Sequence, residues 1–128
     1  AWSAFGEAHL VTVSGDDHVT AILQRDALDA APRAAHTVVE AAPHSRGLVI
    51  IENSGSAQPS ENVGVVVGDG ANLTLVSVQQ WNDDAIHLAS HYATVGRDAN
   101  FVHIVVSLGC VIVRFNPSIH LDHEGANC

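Results

Sequence analysis

The stretch Gly68-Asp69-Gly70-Ala71-Asn72-Leu73 decides the fold, because it recurs along the chain. It is echoed by Gly96-Arg97-Asp98-Ala99-Asn100-Phe101 and by His123-Glu124-Gly125-Ala126-Asn127, at spacings of 28 and 27 residues. Residues 43–48 carry a weaker echo. In the first two copies a Gly or Asp turn is followed by a small Ala and a new apolar strand. A single repeat cannot bury its own apolar face and must stack on the next, so the pattern predicts a solenoid.

The segments between these turns are rich in β-branched residues and predict strands. They lie at 37–39, 48–51, 63–67, 73–78, 101–106 and 111–113. The first 35 residues are less regular, with short strands expected at 9–13 and 19–23. Helical spacing is confined to 83–91 and to the Ala-rich segment 26–35, where Pro32 limits a helix. We therefore expect one all-β domain over residues 1–128, with the repeat clearest in 36–128.

Two other β architectures fit parts of the pattern. An antiparallel sandwich stays open, because hairpins could share the same Gly-Asp and Ala-Asn turns. A left-handed hexapeptide helix is suggested by Val67 and Leu73, six residues apart, but the next position in that series is Gln79. The left-handed hexapeptide helix is therefore excluded.

The charge balance excludes several classes of partner. Five Arg and no Lys stand against fourteen Asp and Glu, and the net charge of −9 repels nucleic acid and anionic membranes. No apolar run approaches the roughly 18 residues of a membrane span. The two cysteines, Cys110 and Cys128, form neither a disulfide framework nor a close-spaced zinc pair. We expect a cytoplasmic protein and, since the chain has no Met, a segment cut at both ends.

The stretch 61–81 resembles the SufB/SufD family of iron-sulfur cluster assembly proteins. In that family two strands joined by a Gly-Ala turn lead to a Val-Gln-x-Trp element, which is Val78-Gln79-Gln80-Trp81 here. The likeness continues through 83–87, 95–99, 107–109 and 114–118, and covers about three quarters of the chain. It implies a right-handed parallel β-helix, in agreement with the repeat.

The resemblance also implies partners. SufB and SufD pair through their β-helices, and both dock a SufC ATPase through C-terminal segments that this sequence does not contain. SufB-type sequences commonly place a cysteine directly after a Pro-Ser pair, and this chain has Ile119 after Pro117-Ser118. The resemblance is therefore to the SufD type. Because a β-helix with bare end coils exposes strand edges, we also expect the chain to self-associate.

Nine histidines raise the question of a metal site. His87 and His91 are the best-spaced pair, and His103 is expected one coil away. These three are the only metal-ligand candidates. The competing interpretation is that they are polar residues on the solenoid surface, since the pair lacks the carboxylate of a His-Glu-x-x-His motif.

Other chemistry-bearing residues have structural interpretations. Cys110 lies between apolar segments and is expected to be a buried, inert thiol. Asp69, Asp98 and Glu124 are expected to form turns rather than a calcium site. Trp81 is expected to anchor a loop on the solenoid. No catalytic or cofactor-binding residues are assigned.

The sequence therefore predicts a scaffold component of the SUF system and no enzyme. We expect no cofactor in this chain, while the resemblance allows an iron-sulfur cluster in the full complex. The alternative is a β-helical carbohydrate-active enzyme of the polysaccharide lyase type. A chain without Lys and with a charge of −9 is poorly suited to bind acidic glycans.

Overall fold

The computed structural model describes residues 8–27 and 32–128. Every regular element in these ranges is a strand, and each is six to ten residues long. The nine strands are β1 (Ala8–Val13), β2 (His18–Ala27), β3 (Pro32–Ala41), β4 (Arg46–Gly55), β5 (Gln58–Val67), β6 (Asn72–Trp81), β7 (Ile86–Val95), β8 (Asn100–Leu108) and β9 (Ile112–Leu121).

The strands form two parallel sheets. The odd-numbered strands make a five-stranded sheet in the order β1-β3-β5-β7-β9, and the even-numbered strands make a four-stranded sheet in the order β2-β4-β6-β8. The chain thus alternates between the sheets, and two strands make one coil. Each strand from β1 to β7 pairs in parallel with the strand two positions further along. The predicted parallel β-helix is confirmed, and the antiparallel sandwich is wrong.

The repeat motif forms the turns that lead from the five-stranded to the four-stranded sheet. Ala71 and Ala99 each donate a backbone hydrogen bond to the glycine three residues earlier, and both are fully buried. The asparagines that follow them stack in a ladder: the amide of Asn100 donates to Asn72 at 3.0 Å, and that of Asn127 donates to Asn100 at 3.2 Å. Asp69 also stabilises these turns, because its Oδ1 accepts a hydrogen bond from the backbone amide of Arg97 at 2.8 Å.

The helical spacing at 83–91 is misleading, because most of this segment belongs to β7. Parallel stacking on β5 and β9 outweighs the local pattern. The Ala-rich segment 26–35 is strand at both ends, where β2 finishes and β3 begins, and its residues 28–31 lie outside the described part. The described N-terminal strands stack as regularly as the others, since β1 pairs with β3 and β2 with β4.

The interior of the coils has two parts with different chemistry. Near the repeat turns it is apolar, with a continuous cluster that includes Val13, Val39, Val67, Leu73 and Phe101. Gly47 lies in this stack, where a Cβ would approach the Val13 side chain to 2.6 Å. Near the opposite turns the interior side chains are largely polar. This second part is the place in the fold where chemistry is concentrated.

Candidate functional site

The polar part of the interior is built by strand alternation. Because successive side chains of a strand point to opposite faces, the strand that buries Val63, Val65 and Val67 also turns Glu61 inward. The same alternation in β6 brings Ser77, Gln79 and Trp81 to the inside. We call the resulting set the interior polar cluster; its members are Arg25, Thr37, Asn53, Glu61, Ser77, Gln79, Trp81, His87, His91 and His103.

The centre of the interior polar cluster is an ion pair. Arg25 Nη1 donates to Glu61 Oε1 at 2.7 Å, and the other guanidinium nitrogen donates to Thr37 Oγ1. The Glu61 side chain is 2% exposed and that of Arg25 is 18% exposed. His87 Nε2 lies 3.4 Å from the second Glu61 oxygen, a long electrostatic contact. Burial by itself raises the pKa of Glu61, but His87 and Arg25 outweigh it and hold this pKa below its ordinary value. Glu61 is therefore ionised at neutral pH.

Gln79 organises the neighbouring amides. Its Oε1 accepts from Asn53 Nδ2 at 3.1 Å and from Trp81 Nε1 at 3.0 Å, while its Nε2 donates to Ser77 Oγ. Gln79 is 1% exposed, and these hydrogen bonds engage both its amide oxygen and its amide nitrogen. Trp81 packs with Ala57 and Ala85, with Cys110 at the edge of this small cluster. Trp81 is thus an interior residue at the end of β6, and it packs against residues of the turns that follow β4, β6 and β8, as expected of an anchor for a loop.

The three predicted histidines come together inside the coil. His87 and His91 are four residues apart in β7 and point to the same interior face, with exposures of 1% and 2%. His103 faces them from β8 within the same coil, and His91 Nδ1 lies 3.0 Å from His103 Nε2. The interpretation of these residues as surface histidines one coil apart is therefore wrong. A nearby carboxylate is also present in space, because Glu61 lies beside His87.

Burial controls the protonation of this histidine pair. It lowers the pKa of His91 to about 4, an effect that the Glu61 carboxylate opposes only in part. Burial also lowers the pKa of His103. Both rings are therefore neutral at neutral pH, with one nitrogen of the pair donating to the other. Phe115 of β9 packs edge-on against His91 at 4.7 Å between ring centroids. In residues 8–27 and 32–128, no three His, Cys, Asp or Glu side chains are arranged to hold a metal ion.

The cysteines lie outside this cluster. Cys110 lies in the turn between β8 and β9 with a φ of 70°, and it is partly exposed. The prediction of a fully buried thiol is therefore wrong, because Cys110 lies in a turn and its packing against the Trp81 cluster covers it only in part. Partial burial raises the pKa of this thiol, which keeps it protonated at neutral pH. Cys128 is exposed.

A cleft of about 560 Å³ reaches one side of the interior polar cluster, where Arg25, Asn53, Glu61 and Trp81 line it. The cleft gives the Arg25–Glu61 pair its contact with solvent. Sequence reasoning missed Glu61, Gln79 and Arg25 as site residues. For Glu61 and Gln79 the signal is present, since each continues the inward alternation of the apolar strand that contains it.

The fold and the comparisons with known proteins agree on the class of protein. The chain folds as a parallel β-helix, and residues 23–128 match the family described as SUF system FeS cluster assembly, SufBD core domain. The chain therefore belongs to the SufBD family. It is similar to iron-sulfur cluster assembly SufBD family proteins of Mycobacterium bovis (33% identity over 130 residues) and Mycobacterium leprae (30% over 131 residues).

These alignments include 99% of this chain and 33% of each relative, so the chain spans about one third of the length of the relatives it matches. No solved structure matches the chain. No helix in the described ranges is long and apolar enough to cross a membrane.

Proposed function

We propose that this chain supplies the β-helical core of a SufD-type scaffold subunit, which pairs with a SufB-like paralogue and works with a SufC-like ATPase in iron-sulfur cluster assembly. The observation that carries the proposal is the match of residues 23–128 to the SufBD core domain, on a chain that folds as a parallel β-helix. The protein would act in the cytoplasm, and its own role would be structural rather than enzymatic.

The interior polar cluster supports a structural role. Glu61 is hydrogen-bonded by Arg25, and Gln79 by Asn53, Ser77 and Trp81, whereas the ring nitrogens of His87 make no hydrogen bond to any described residue. Buried polar groups that satisfy one another in this way fix the position of the strands that carry them. They are arranged to hold the coils in register, and the His91–His103 contact joins the two sheets in the same manner.

The assignment to the SufD type rests on Ile119. This residue pairs with Ala93, which points inward, so Ile119 also lies on the interior side of β9. An aliphatic side chain here can neither carry a persulfide nor bind iron. A sulfur-handling cysteine expected at this place in SufB-type chains would then have to come from the partner.

Exposed apolar side chains on β9 support pairing through this strand. Leu121 lies on the interior side of β9, because it pairs with the buried Val95, yet it is 50% exposed. Val113 on the same strand is 41% exposed. Within the described residues, β9 pairs with β7 along one edge and with no strand along the other. Apolar side chains beside an unpaired strand edge favour the addition of a strand from another chain.

Capture by a tagged SufB-like paralogue tests this proposal. The chain should be retained by the paralogue, and the Leu121→Asp variant should bind at least about tenfold more weakly, because a charge then faces the docked strand. His120→Asp is the matched control, since the adjacent His120 points outward and is exposed, and it should bind like the wild type. A SufC-like ATPase should be retained only with the full-length partner present.

Two results would contradict the proposal. One is equal retention of both variants and the wild type, which would place the contact elsewhere. The other is cleavage of uronate-containing glycans by the chain, which would support the alternative function as a polysaccharide lyase. We expect no cleavage, because the net charge of −9 disfavours binding of an acidic glycan.

A further inference from the structure

The outer face of the four-stranded sheet is unusually apolar. The strand registers place Thr20, Leu48, Thr74 and Val102 in one row across the sheet, and Ile22, Ile50, Val76 and Ile104 in the next. Neither row contains a charged residue. Four members of the face on the outermost strands are well exposed: Ile22 (59%), Val102 (49%), Ile104 (44%) and Val106 (39%). We call this surface the four-stranded face.

The five-stranded sheet provides a contrast. Its outer face also exposes apolar residues, such as Val66 and Leu88, but intersperses them with Glu40, Arg114 and His120. Contiguous apolar surfaces larger than a few hundred Å² usually mark contact sites. The four-stranded face is therefore the stronger candidate for a broad contact.

Charged residues lie at the two margins of the four-stranded face, with opposite signs. At the beginnings of the strands, Arg46 is exposed beside His18. At the ends of the strands lie Glu52, which accepts a hydrogen bond from Gln24 at 2.7 Å, and Asp26. The face is thus basic at one margin, apolar in the middle and acidic at the other.

This distribution is complementary to itself. When a second copy is rotated by a twofold axis parallel to the solenoid axis, its strands run antiparallel to those of the first. The basic margin of each copy then meets the acidic margin of the other, and the apolar rows face each other. Such a self-complementary contact is the kind that twofold dimers use.

The size of the face is sufficient for a dimer. Four strands of ten residues or slightly fewer cover roughly 600 Å² at standard strand spacings, so two copies would bury about 1,200 Å² in total. Stable interfaces begin near 1,000 Å². Two sheets can pack in this way about 10 Å apart with their side chains interdigitated. The net charge of −9 on each copy opposes approach, but salt screens it beyond about 8 Å.

We propose that the four-stranded face docks a second copy of this chain to form a twofold dimer. This contact is separate from the strand edge of β9 that we assign to the paralogue. It also gives the expected self-association a different location, because β4 and β6 are inner strands and their outward side chains cannot take part in edge pairing.

Sedimentation equilibrium over a range of chain concentrations tests the dimer. The wild type should dimerise, and Val76→Glu should weaken the dimer at least about tenfold, because it places a carboxylate in the middle of the contact. Val66→Glu is the matched control: Val66 is also a valine on an inner strand, but on the outer face of the other sheet. It should dimerise like the wild type. Circular dichroism of each variant confirms that it is folded.

The charged margins supply a second test that does not depend on the core of the contact. Arg46→Glu and Glu52→Arg should each weaken the dimer, and the double variant should recover most of the loss, because the opposite charges again meet. A wild type that stays monomeric overturns the proposal. So does a dimer that survives Val76→Glu but is lost with Leu121→Asp, since that result assigns self-association to the strand edge. Neither result bears on capture by the paralogue.

Discussion

His91 and His103 meet across the interior of the β-helix, with Nδ1 of His91 3.0 Å from Nε2 of His103 and the ring centroids 5.0 Å apart. The contact joins β7 of one sheet to β8 of the other, within one coil. It requires at least one neutral ring, because a nitrogen that accepts a hydrogen bond carries no proton. The protonation of this pair is therefore coupled to the packing of the coil.

Acid should destabilise the protein through His91. Its pKa is about 4 in the folded state, below the ordinary value of 6.5. The unfolded chain therefore takes up a proton at higher pH than the folded one, and the stabilisation present above pH 6.5 is lost as the pH falls towards 4. The full loss is about 3 kcal/mol. Urea unfolding between about pH 7.5 and pH 4.5 measures it.

Two variants show whether His91 is the source of this dependence. His91→Gln should reduce the change of unfolding free energy between pH 6.5 and 4 to the part that comes from His103, whose pKa burial also lowers. His120→Gln should leave the change intact, since the His120 side chain is 77% exposed. The same slope in all three proteins would contradict the assignment. The Glu61 carboxylate, whose pKa is lowered, contributes only at more acidic pH, where its ordinary value lies.

Removing the charge of Glu61 should be costly. Glu61→Gln leaves the Arg25 guanidinium without its counter-charge in the interior, and we expect a loss of about 3 kcal/mol in unfolding free energy. Adding Arg25→Met to this variant should recover about 1 kcal/mol or more, because the unpaired charge is gone. The control Glu40→Gln, on the exposed outer face, should change stability by less than about 0.5 kcal/mol. A similarly small effect of Glu61→Gln would show that the ion pair is unimportant.

Gly109 should tolerate no side chain. Its φ is +79°, and a Cβ would lie 1.8 Å from the backbone oxygen of Trp81. Gly109→Ala therefore combines backbone strain with a clash that only a backbone shift can relieve. Gly15 has a φ of +94° and no atom within 4 Å of an added Cβ, so Gly15→Ala measures the strain alone, about 1 kcal/mol. In thermal unfolding, the melting temperature of Gly109→Ala should be clearly lower than that of Gly15→Ala. Equal melting temperatures would contradict the clash.

The isolated chain should bind no iron, zinc or iron-sulfur cluster stoichiometrically. The facing nitrogens of His91 and His103 are engaged with each other, and Ile119 offers no ligand. Anaerobic reconstitution followed by desalting and analysis of metal and sulfide should leave well below one equivalent. One retained equivalent that is lost in His87→Ala, His91→Ala or Cys110→Ala would contradict this prediction.

Much of the architecture could be predicted from the recurring turn. The positions of Ala71 and Ala99 inside the turns and the stacking of Asn72 on Asn100 follow from a repeat of nearly constant length. Strand β7 could not be predicted, because the helical spacing at 83–91 is a local pattern, whereas the pairing of β7 with β5 and β9 joins residues far apart in the sequence. The burial of His87 and His91 was also missed, although both continue the inward alternation that ends at Val95.

The sequence by itself determined the β-strands and the sites of the recurring turns between them, because these depend on a period of two within strands and about 27 between coils. Only the tertiary structure decided which inward side chains meet. Arg25 reaches Glu61 across 36 residues, and His91 reaches His103 across 12. Those contacts join residues of different sheets, so they depend on how the two sheets face each other across the interior and not on a pattern within one strand.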